Sequence, residues 1–485
     1  MNQKKFIEKY ISTTTQPLDE YHKELLLSAL LDDRTPHTLK SNIVIFLRKH
    51  RHQISPDELA GTLNINPSTA EELLNNGITE ASFPAVNPDN ENKQELIKLF
   101  VIELKNSTFS FKKGIENELK VVEKLTRKHF FIGFSQDFSG KSFLLALVSA
   151  LICKKSEKLK NSAFTGDLDF EGKVLEVDFL EEKKGASSQK KLIHSEIIKN
   201  INELDTLLNS EAISIPFSIA LKQSKKDITP EQAALSNLYK IEQNTDFKLA
   251  KRLYNLKDDD FIFYANDSFL PKNSWENLLK SAYNKIMSLK SKIKDKTCIT
   301  HFCFLAPATF CFGFGAMVGC KEPFVAYHYT SSGYRTVLDY SKKSTRFLKS
   351  FTNTFNRMEC KVEKENNNSK IIAFSIYAAS HNPAGDIARF LAENFNDYSI
   401  ATCKAKDRGN LKSDDWTVYV NEIYSFYNKL KEMKVNKKLM FFSCPVPLAF
   451  GLGVAVETFD NIEVFNFDPE SASYFKVFNL ASLRV

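Results

Sequence analysis

The sequence has no Cys-x-x-Cys pair among its eight cysteines, only two tryptophans, and no uninterrupted apolar run long enough to span a bilayer. Without paired cysteines, neither a disulfide framework nor a zinc site is expected. A longer apolar stretch, 302–318, is broken by Pro307, Gly313 and Gly315, whereas a membrane helix needs about 20 apolar residues. Residues 1–16 are polar and do not resemble a signal peptide. We therefore expect a protein of a reducing cytoplasm, with no metal or resident cofactor and no membrane partner.

The composition allows several domains. The chain has 485 residues, 43% of them hydrophobic, and domains of roughly 150 residues predict about three of them. The formal net charge of +7 is small for this length. It fits an anionic ligand, and a solvated basic surface explains it equally well.

The first predicted domain, 1–92, is a helical region, since apolar residues recur at helical spacing in 25–31 and 43–47. Residues 55–74 resemble a helix-turn-helix, which raises the alternative of a transcription regulator. Its second helix carries Glu71 and Glu72, however, and DNA phosphates would repel both. A packing or protein-contact role is therefore favoured over binding of duplex DNA.

The second predicted domain, 93–225, lies between polar stretches at 87–93 and 222–232 that are interpreted as linkers. The pattern predicts strands at 96–104 and 129–134 and helices at 114–125 and 142–153. Between the second strand and the second helix lies a polar loop that ends in Ser139-Gly140-Lys141-Ser142. A loop of this composition between a strand and a helix is typical of a functional site.

A phosphate-binding loop is the first interpretation to test. That motif needs a glycine, four residues, then Gly-Lys-Ser/Thr, so that backbone N–H groups surround the phosphates. The glycine would stand at position 135, which is Ser135, and Gly133 comes two residues too early. An ATPase is therefore disfavoured.

Four blocks in a fixed order indicate a different chemistry. Gly140-Lys141-Ser142 precedes an Ala-containing helix, and Ala163-Phe164-Thr165-Gly166-Asp167, Gly172-Lys173-Val174-Leu175-Glu176-Val177 and Leu180-Glu181-Glu182-Lys183 follow. This order resembles the Lon proteases. The resemblance implies a Lon-type α+β serine endopeptidase with Ser142 as nucleophile and Lys183 as its base, working without ATP. Lys141 replaces the family's proline, Phe143 and Leu144 replace small residues, and a register with Ser139 as nucleophile stays open.

The chemistry of such a dyad sets requirements on both residues. A serine hydroxyl needs an adjacent base, and a lysine can act as one only when burial lowers its pKa. Asp178 and Glu181 resemble a capping box that would start a helix and place Lys183 on a face with Phe179 and Leu180. Ser142 would lie at a helix N-terminus, where free N–H groups stabilise an oxyanion. The plain alternative for Lys183 is a surface lysine beside two glutamates.

The third predicted domain, 226–485, contains an internal repeat. Phe304–Gly315 recurs as Phe442–Gly453, and Tyr327-His328-Tyr329 recurs as Phe465-Asn466-Phe467. An upstream strand also recurs, at 261–265 and 374–378. Two related α/β units, about 246–345 and 368–485, are therefore predicted. Each has a buried strand, a Gly-containing helix and a further strand, as in a doubly wound sheet.

The duplication resembles the SAVED domain, a fusion of two CARF-like, Rossmann-like units that sense cyclic oligonucleotides. Doubly wound sheets bind ligands at the carboxyl ends of their strands. The candidate ligand contacts are therefore strand-end residues together with a basic, aromatic segment: Asn266, Thr309, Ser380, His381 and Pro445, and then Lys404, Lys406, Arg408 and Trp416. The basic side chains would pair with phosphate and Trp416 would stack on adenine.

Together the three regions predict a multidomain α/β protein that resembles the Lon–SAVED effectors of type III CRISPR immunity. The resemblance implies that a cyclic oligoadenylate, typically cyclic tetra-adenylate, activates the chain by making it self-associate. It also implies cleavage of a partner protein, such as one that holds a sigma factor. A sensor or scaffold with an inactive peptidase fold is the other alternative.

The phosphate-loop interpretation has its own test. If Lys141 binds no nucleotide, Lys141→Ala keeps most of the peptidase activity, and neither ATP nor magnesium is required. The measurement is the hydrolysis of a fluorescent casein with and without ATP and magnesium. Turnover that needs ATP and disappears with Lys141 would restore the ATPase interpretation.

Overall fold

A computed structural model describes residues 3–87, 90–221, 228–265, 275–365, 370–407, 409, 411–433 and 435–484. The chain divides into two compact units, Met1–Ser210 and Glu211–Val485, and both mix helices with strands. Within the described ranges no helix is long and apolar enough to cross a bilayer. The same ranges contain no group of three or more His, Cys, Asp or Glu residues that could hold a metal ion.

The first unit combines helices with short and long strands. Its helices are α1 (Gln3–Thr13), α2 (Glu20–Leu31), α3 (His37–Lys49), α4 (Pro56–Leu63), α5 (Pro67–Asn75), α6 (Glu116–Thr126), α7 (Leu144–Ile152), α8 (Ser156–Lys160), α9 (Leu180–Ala186) and α10 (Ile201–Asn209). Its strands are β1 (Ile78–Asn87), β2 (Asn90–Leu104), β3 (Phe109–Ser110), β4 (His129–Phe134), β5 (Ser162–Phe164), β6 (Asp167–Leu168), β7 (Val174–Leu175) and β8 (Lys191–Ile193).

The predicted helical domain is shorter than 1–92. From Ile78 the chain forms the antiparallel strands β1 and β2, and Asn87 and Asn90 of the predicted linker at 87–93 pair with each other in them. The separate boundary at 92 is therefore wrong. The cause is the period-two burial of β2, where Ile97, Leu99 and Val101 are at most 2% exposed. The N-terminal helices share a core with this sheet through Ile102 and Phe131.

The second helix of the helix-turn-helix-like segment is docked on the protein itself. The Arg48 guanidinium donates hydrogen bonds to the carbonyls of Leu73 and Asn76 at the end of α5. The Asn76 side-chain amide donates to the Glu103 carbonyl on β2, at 2.6 Å. Arg48 thus fixes α5 by packing contacts within the protein, in line with the role favoured from the sequence.

The second unit begins earlier than predicted and contains two sheets. Its helices are α11 (Pro230–Ile241), α12 (Phe247–Tyr254), α13 (Trp275–Lys292), α14 (Ala308–Val318), α15 (Ala384–Asn394), α16 (Thr417–Lys431) and α17 (Val446–Val456). Its strands are β9 (Ala212–Leu221), β10 (Ile262–Ala265), β11 (Thr297–Leu305), β12 (Phe324–Thr330), β13 (Gly333–Asp339), β14 (Met358–Lys364), β15 (Ile371–Tyr377), β16 (Ser399–Ala405), β17 (Lys437–Ser443), β18 (Glu463–Asp468) and β19 (Ser473–Asn479).

The two sheets have matching strand orders. One runs β10-β9-β11-β12-β13 and the other β14-β16-β15-β17-β18-β19, with β14 as an extra antiparallel edge. In each, a central strand (β9 or β15) pairs in parallel with both of its neighbours, and the far edge pair is antiparallel with a bulge. The strand equivalent to β15 is therefore β9.

This equivalence corrects two predictions. The match of 261–265 with 374–378 is wrong, because β10 occupies the place of β16. The boundary at 225/226 is also wrong, because β9 is the central strand of the first repeat and the second unit starts at Glu211. The predicted linker at 222–232 follows β9 and therefore does not separate the two units. Of that stretch, residues 222–227 lie outside the described ranges.

One cysteine pair is joined across the second sheet. Cys360 on β14 and Cys403 on β16 form a disulfide with their Cα atoms 4.2 Å apart, and the two residues are direct partners in the antiparallel register. A search for Cys-x-x-Cys pairs does not reveal this disulfide, since its two cysteines are 43 positions apart in sequence. The other six cysteines are free.

The repeats pack on each other through α14 and α17. At Gly315 an added Cβ would overlap the Phe450 carbonyl oxygen, and at Gly453 it would overlap the Phe312 carbonyl oxygen. Phe312 and Phe450 occupy equivalent places in the repeat, as the two glycines do. The contact is thus reciprocal, as a twofold axis between equivalent helices requires.

This packing predicts the cost of a single methyl group. Gly315→Ala and Gly453→Ala should each destabilise the second unit by about 1–3 kcal/mol, because backbone atoms cannot yield to a Cβ. Gly385→Ala is the matched control: it lies in α15 with nothing within 4 Å, so the helix should gain about 0.5–1 kcal/mol. Urea unfolding followed by circular dichroism measures both. A Gly315→Ala variant as stable as the control would refute the close contact.

Candidate functional site

Ser142 lies in a turn between β4 and α7, beside the Thr165-Gly166 segment that follows β5. Its side chain is 5% exposed, and the helix that follows is buried along almost its whole length. The Gly166 N–H donates to the Ser142 carbonyl at 3.2 Å, and the Leu145 N–H donates to the Gly166 carbonyl at 3.1 Å. These two backbone bonds hold Ser142 against the Thr165-Gly166 segment. The first two predicted blocks thus meet in space.

The rest of the loop bears on two alternatives from the sequence, Ser139 as the nucleophile and Lys141 as a phosphate ligand. Ser139 is exposed, whereas Ser142 is buried. The helix starts at Leu144 instead of Ser142, so Ser142 precedes the first turn by two positions. The Lys141 ammonium is 3.0 Å from the Glu118 carboxylate. A lysine engaged with a carboxylate in this way is poorly placed to bind phosphate, which adds to the argument against an ATPase.

Lys183 occupies α9 and is 5% exposed. Burial lowers the pKa of its ammonium below the usual range, and the carboxylates of Asp178 and Glu182 only partly oppose that shift. Among the described residues Lys183 has no ion-pair partner, unlike its neighbour Lys184, which pairs with Glu181 at 2.6 Å. Lys183 therefore has the environment that a neutral lysine requires.

The way in which Lys183 is buried differs from the prediction. The expected capping box of Asp178 and Glu181 is wrong, because the residue before α9 is Phe179, which has φ 60° and makes no side-chain cap. Phe179 is also 58% exposed, so it does not shield Lys183. Instead, α9 packs against β1 and β2. A left-handed phenylalanine carries backbone strain, a feature that often marks functional segments.

Two buried hydroxyls near these residues were missed. Thr165, next to the Gly166 that binds Ser142, is 0% exposed, and its Oγ1 has no hydrogen-bond partner. Ser187, whose N–H donates to the Lys183 carbonyl at 3.1 Å, is 2% exposed, and its Oγ also lacks a partner. An unmet buried hydroxyl costs about 1–3 kcal/mol. Thr165 could have been found, since it lies in the quoted Thr-Gly block, whereas Ser187 has no sequence signal.

In the second unit the carboxyl ends of β11 and β17, the equivalent strands of the two repeats, lie close together. Phe442, one residue before the end of β17, packs on Phe312 of α14 with ring centroids 4.8 Å apart. The equivalent pair, Phe304 at the end of β11 and Phe450 of α17, has centroids 5.0 Å apart. Because each helix follows its own strand directly, both strand ends lie near the α14–α17 contact.

Three of the predicted ligand contacts meet at the carboxyl end of the second sheet. The Ser443 hydroxyl donates to the His381 carbonyl at 2.9 Å, and the Ser443 carbonyl accepts from the Ala378 and Ala379 N–H groups. Ser380 and His381 are exposed there, and Pro445 is half-buried as the cap of α17. This exposed edge is available to a ligand.

Other predicted contacts are buried or lie outside the described residues. Trp416 is 1% exposed and its indole N–H donates to the Ser413 carbonyl, so its predicted stacking on adenine is wrong. Thr309, at 3% exposure, is packed in the first turn of α14 and presents little surface to a ligand. Apolar neighbours bury both side chains, and the sequence did not reveal this. Asn266 and Arg408 fall outside the described ranges.

Lys404 lines a cavity that the sequence did not reveal. On β16 the side chains alternate, with Ala401, Cys403 and Ala405 buried in the main core and Lys404 on the α15 face. The cavity there has a volume of about 400 Å³, and its polar lining consists of Glu363, Ser375, Tyr377, Asn382, Thr402 and Lys404. The nearby Lys406 is exposed, and its ammonium donates to the Phe355 carbonyl at 2.8 Å.

Solved structures with some similarity to the chain are Cap4 receptors that contain SAVED/CARF domains. The Acinetobacter baumannii receptor with the cyclic trinucleotide 3'3'3'-cAAA is 13% identical, with a TM-score of 0.33 over 55% of this chain and 51% of that chain. The same receptor with 2'3'3'-cAAA gives 13% identity and a TM-score of 0.34 over the same shares. The Moraxella osloensis receptor is 11% identical, with a TM-score of 0.31 over 82% of this chain and 94% of that chain.

The chain thus spans about half the length of the two Acinetobacter structures. No family model and no curated protein matches the sequence. TM-scores this low establish no common fold, so the interpretation depends on the geometry of the chain itself.

The environment of Lys183 predicts how stability depends on pH. The folded chain releases the Lys183 proton at a lower pH than the unfolded chain, so the buried ammonium costs stability below the lowered pKa. That cost disappears as pH rises toward the unfolded value. Lys183→Met should therefore be at least as stable as the wild type near about pH 7, with an advantage that shrinks toward about pH 10.

Lys184→Met is the matched control, since it removes an exposed lysine paired with Glu181. It should bring no gain in stability at either pH. Thermal unfolding of the three proteins at both pH values provides the comparison. A Lys183→Met variant that is markedly less stable than Lys184→Met at neutral pH would mean that Lys183 is an ordinary charged lysine.

Proposed function

We propose that the chain is a serine endopeptidase with a Ser142–Lys183 dyad, activated when a cyclic oligoadenylate binds its duplicated second unit. The observation that supports the peptidase most is the state of the two residues. Both are 5% exposed, and the lysine has a lowered pKa and no described ion-pair partner. A lysine so placed costs stability, and a requirement for a neutral base explains why that cost is tolerated.

In the proposed reaction Ser142 Oγ attacks the carbonyl carbon of the scissile peptide bond while its proton passes to Lys183 Nζ. The C–N bond then breaks, and the leaving amine takes that proton, which leaves an acyl ester on Ser142. Water then attacks the ester carbonyl while one of its protons passes to Lys183 Nζ. The bond between the carbonyl carbon and Oγ breaks, Oγ takes that proton back, and the carboxylic acid product leaves. Thr165 Oγ1 and Ser187 Oγ, buried and without partners, could bond to the lysine or to the substrate during these steps.

The proposed sensor rests on the duplication. Two equivalent sheets place their carboxyl ends near the contact of α14 with α17, and open α/β sheets bind ligands at such ends. A ligand built from repeated nucleotides suits a site built from repeated units. Exposed Lys406 would face its phosphates, and the Lys404 cavity lies at the same end of the second sheet. His381 is exposed at this end too, and its Nε2 would have to leave the Asp386 carboxylate, 3.2 Å away, to bind phosphate. Cyclic trinucleotides are bound in the Acinetobacter Cap4 structures, and the ring size for this chain is proposed to be four.

The proposed consequence of binding is self-association, followed by cleavage of a partner protein that restrains a regulator such as a sigma factor. A ligand can drive assembly only by its preference for the assembled state. No observation favours the alternative of a DNA-binding regulator, because α5 is docked on β2 and carries Glu71 and Glu72.

The dyad has a direct test. Ser142→Ala and Lys183→Ala should each abolish hydrolysis, by comparable factors, because members of a catalytic unit are not additive. Ser139→Ala is the matched control in the same loop and should keep its activity, since Ser139 is exposed. Hydrolysis of fluorescent casein and of a fluorogenic peptide library, with cyclic tetra-adenylate present, provides the readout. If Ser139→Ala is inactive and Ser142→Ala is active, the nucleophile is Ser139.

The sensor has a separate test. Without nucleotide the chain should be mainly monomeric and nearly inactive, and cyclic tetra-adenylate should produce larger assemblies and hydrolysis together. Lys406→Glu should weaken that response without harming the dyad. Light scattering and hydrolysis are followed on the same samples, with cyclic tri-adenylate and linear tetra-adenylate as comparison ligands. Full hydrolysis by unassembled chains without nucleotide would reject the sensor, whatever the nucleophile proves to be.

A further inference from the structure

The loop that leads to Ser142 is held at its middle by an N-terminal helix. The Asp137 carboxylate accepts hydrogen bonds on one oxygen, Oδ1, from His37 Nε2 at 2.8 Å and from Lys112 Nζ at 2.6 Å. His37 is the first residue of α3, and its other ring nitrogen is buried without a partner. The Asp137 side chain is 60% exposed. Its partial desolvation would raise its pKa, but the bonds from Lys112 and His37 lower the pKa to about 2. Asp137 is therefore a carboxylate at neutral pH.

A chain of contacts leads from Asp137 to Ser142. Lys112 Nζ also donates to the Phe138 carbonyl at 2.9 Å and lies over the Phe138 ring, 4.5 Å from its centroid. Phe138, 2% exposed, packs on Phe143 with centroids 5.4 Å apart. Phe143 is fully buried and directly follows Ser142. A shift of the Asp137 carboxylate would therefore move the packed rings of Phe138 and Phe143 and, with them, Ser142.

The ends of the loop are fastened separately. The Ser135 N–H donates to the Lys98 carbonyl at 2.9 Å, and the Lys98 N–H donates to Ser135 Oγ at 3.0 Å. At the other end Lys141 pairs with Glu118. These two attachments use β2 and α6. Of these three attachments the middle one involves an N-terminal helix. The His37 ring also contacts Phe134, with centroids 6.4 Å apart, and Phe134 packs on Phe143 at 5.6 Å. His37 is therefore the residue through which α3 reaches the neighbour of Ser142.

We propose that His37, Lys112 and Asp137 form a clamp that positions Ser142, and that the N-terminal helices thereby control the proposed peptidase site. The inference rests on the proposed function of Ser142. With the clamp closed, Ser142 Oγ is held in one place for attack. With His37 withdrawn, Asp137 loses its bond to α3 and the middle of the loop is free to shift. The three clamp residues are positioning residues, since none of them takes part in the bond changes.

The test uses the full chain with cyclic tetra-adenylate and a fluorogenic peptide from the library. Asp137→Ala should lower kcat by about 10–100-fold with little change in KM, because a displacement near one ångström can cost that much in rate. Asp137→Asn should recover most of the activity, since its Oδ1 can still accept both bonds. His37→Ala keeps the Lys112 bond and should show a smaller loss. Asp32→Ala, which removes an exposed pair with Arg34, is the control and should change nothing.

Hydrogen–deuterium exchange of 135–143 distinguishes positioning from general damage. Asp137→Ala should speed exchange in this segment alone, while the midpoint of thermal unfolding stays close to that of the control. Wild-type kcat in both Asp137→Ala and His37→Ala would overturn the clamp. Equal losses in the Asn and Ala variants would also overturn it. If Ser142→Ala is active, the proposed function itself fails, and that result is separate from either outcome for the clamp.

Discussion

Where α14 meets α17 no side chain separates the two backbones at Gly315 and Gly453, and the second unit depends on this contact. Around it pack Phe304, Phe312, Phe442 and Phe450, two from each repeat. Any side chain larger than hydrogen at either glycine would force the helices apart. The same contact sets the distance between the strand ends that follow Phe304 and Phe442. A ligand that bridges the repeats would therefore meet a site whose spacing is set by two glycines.

The first unit is organised around a different constraint, the burial of polar groups. Ser142, Thr165, Lys183 and Ser187 are all at most 5% exposed, and two of their hydroxyls lack partners. Unmet polar groups oppose folding, and a role in a reaction is one of the reasons for which proteins retain them. The lysines around the loop that leads to Ser142 are by contrast paired: Lys141 binds Glu118, and Lys112 binds Asp137. The Lys183 ammonium, in contrast to these two lysines, has no ion-pair partner among the described residues.

Much of the architecture was readable because its signals are local. The strand at 129–134 has the predicted bounds, and the apolar helix after Ser142 and the Gly-containing helices of the repeat are present. The errors arose where tertiary packing decides. The hairpin at 78–104 was hidden by the polar residues near its turn, and β9 was assigned to the wrong unit because only its pairing shows it to be central. Trp416 was taken for a surface aromatic, although apolar neighbours bury it.

The candidate site was predictable in part for the same reason. Ser142 and Lys183 stood out through block order along the chain, and both proved to be buried. Two predictions about Lys183 were wrong, namely that Asp178 and Glu181 form a capping box and that Phe179 covers the lysine. Both depend on the left-handed backbone at Phe179, which is set by the docking of α9. The Lys404 cavity needs three strands brought side by side, and His37 lies a hundred positions from Asp137. No pattern along the chain relates such residues to each other.

In the proposed function, binding of a nucleotide to the second unit controls the nucleophilic Ser142. The most direct measurement is covalent labelling of the full chain by a serine-reactive fluorophosphonate, with and without cyclic tetra-adenylate, and identification of the modified residue by mass spectrometry. We expect modification of Ser142 that rises with the nucleotide and disappears in Lys183→Ala, because the lysine activates the hydroxyl. Modification of Ser139 instead, or labelling of Ser142 that ignores both the nucleotide and Lys183, would contradict it.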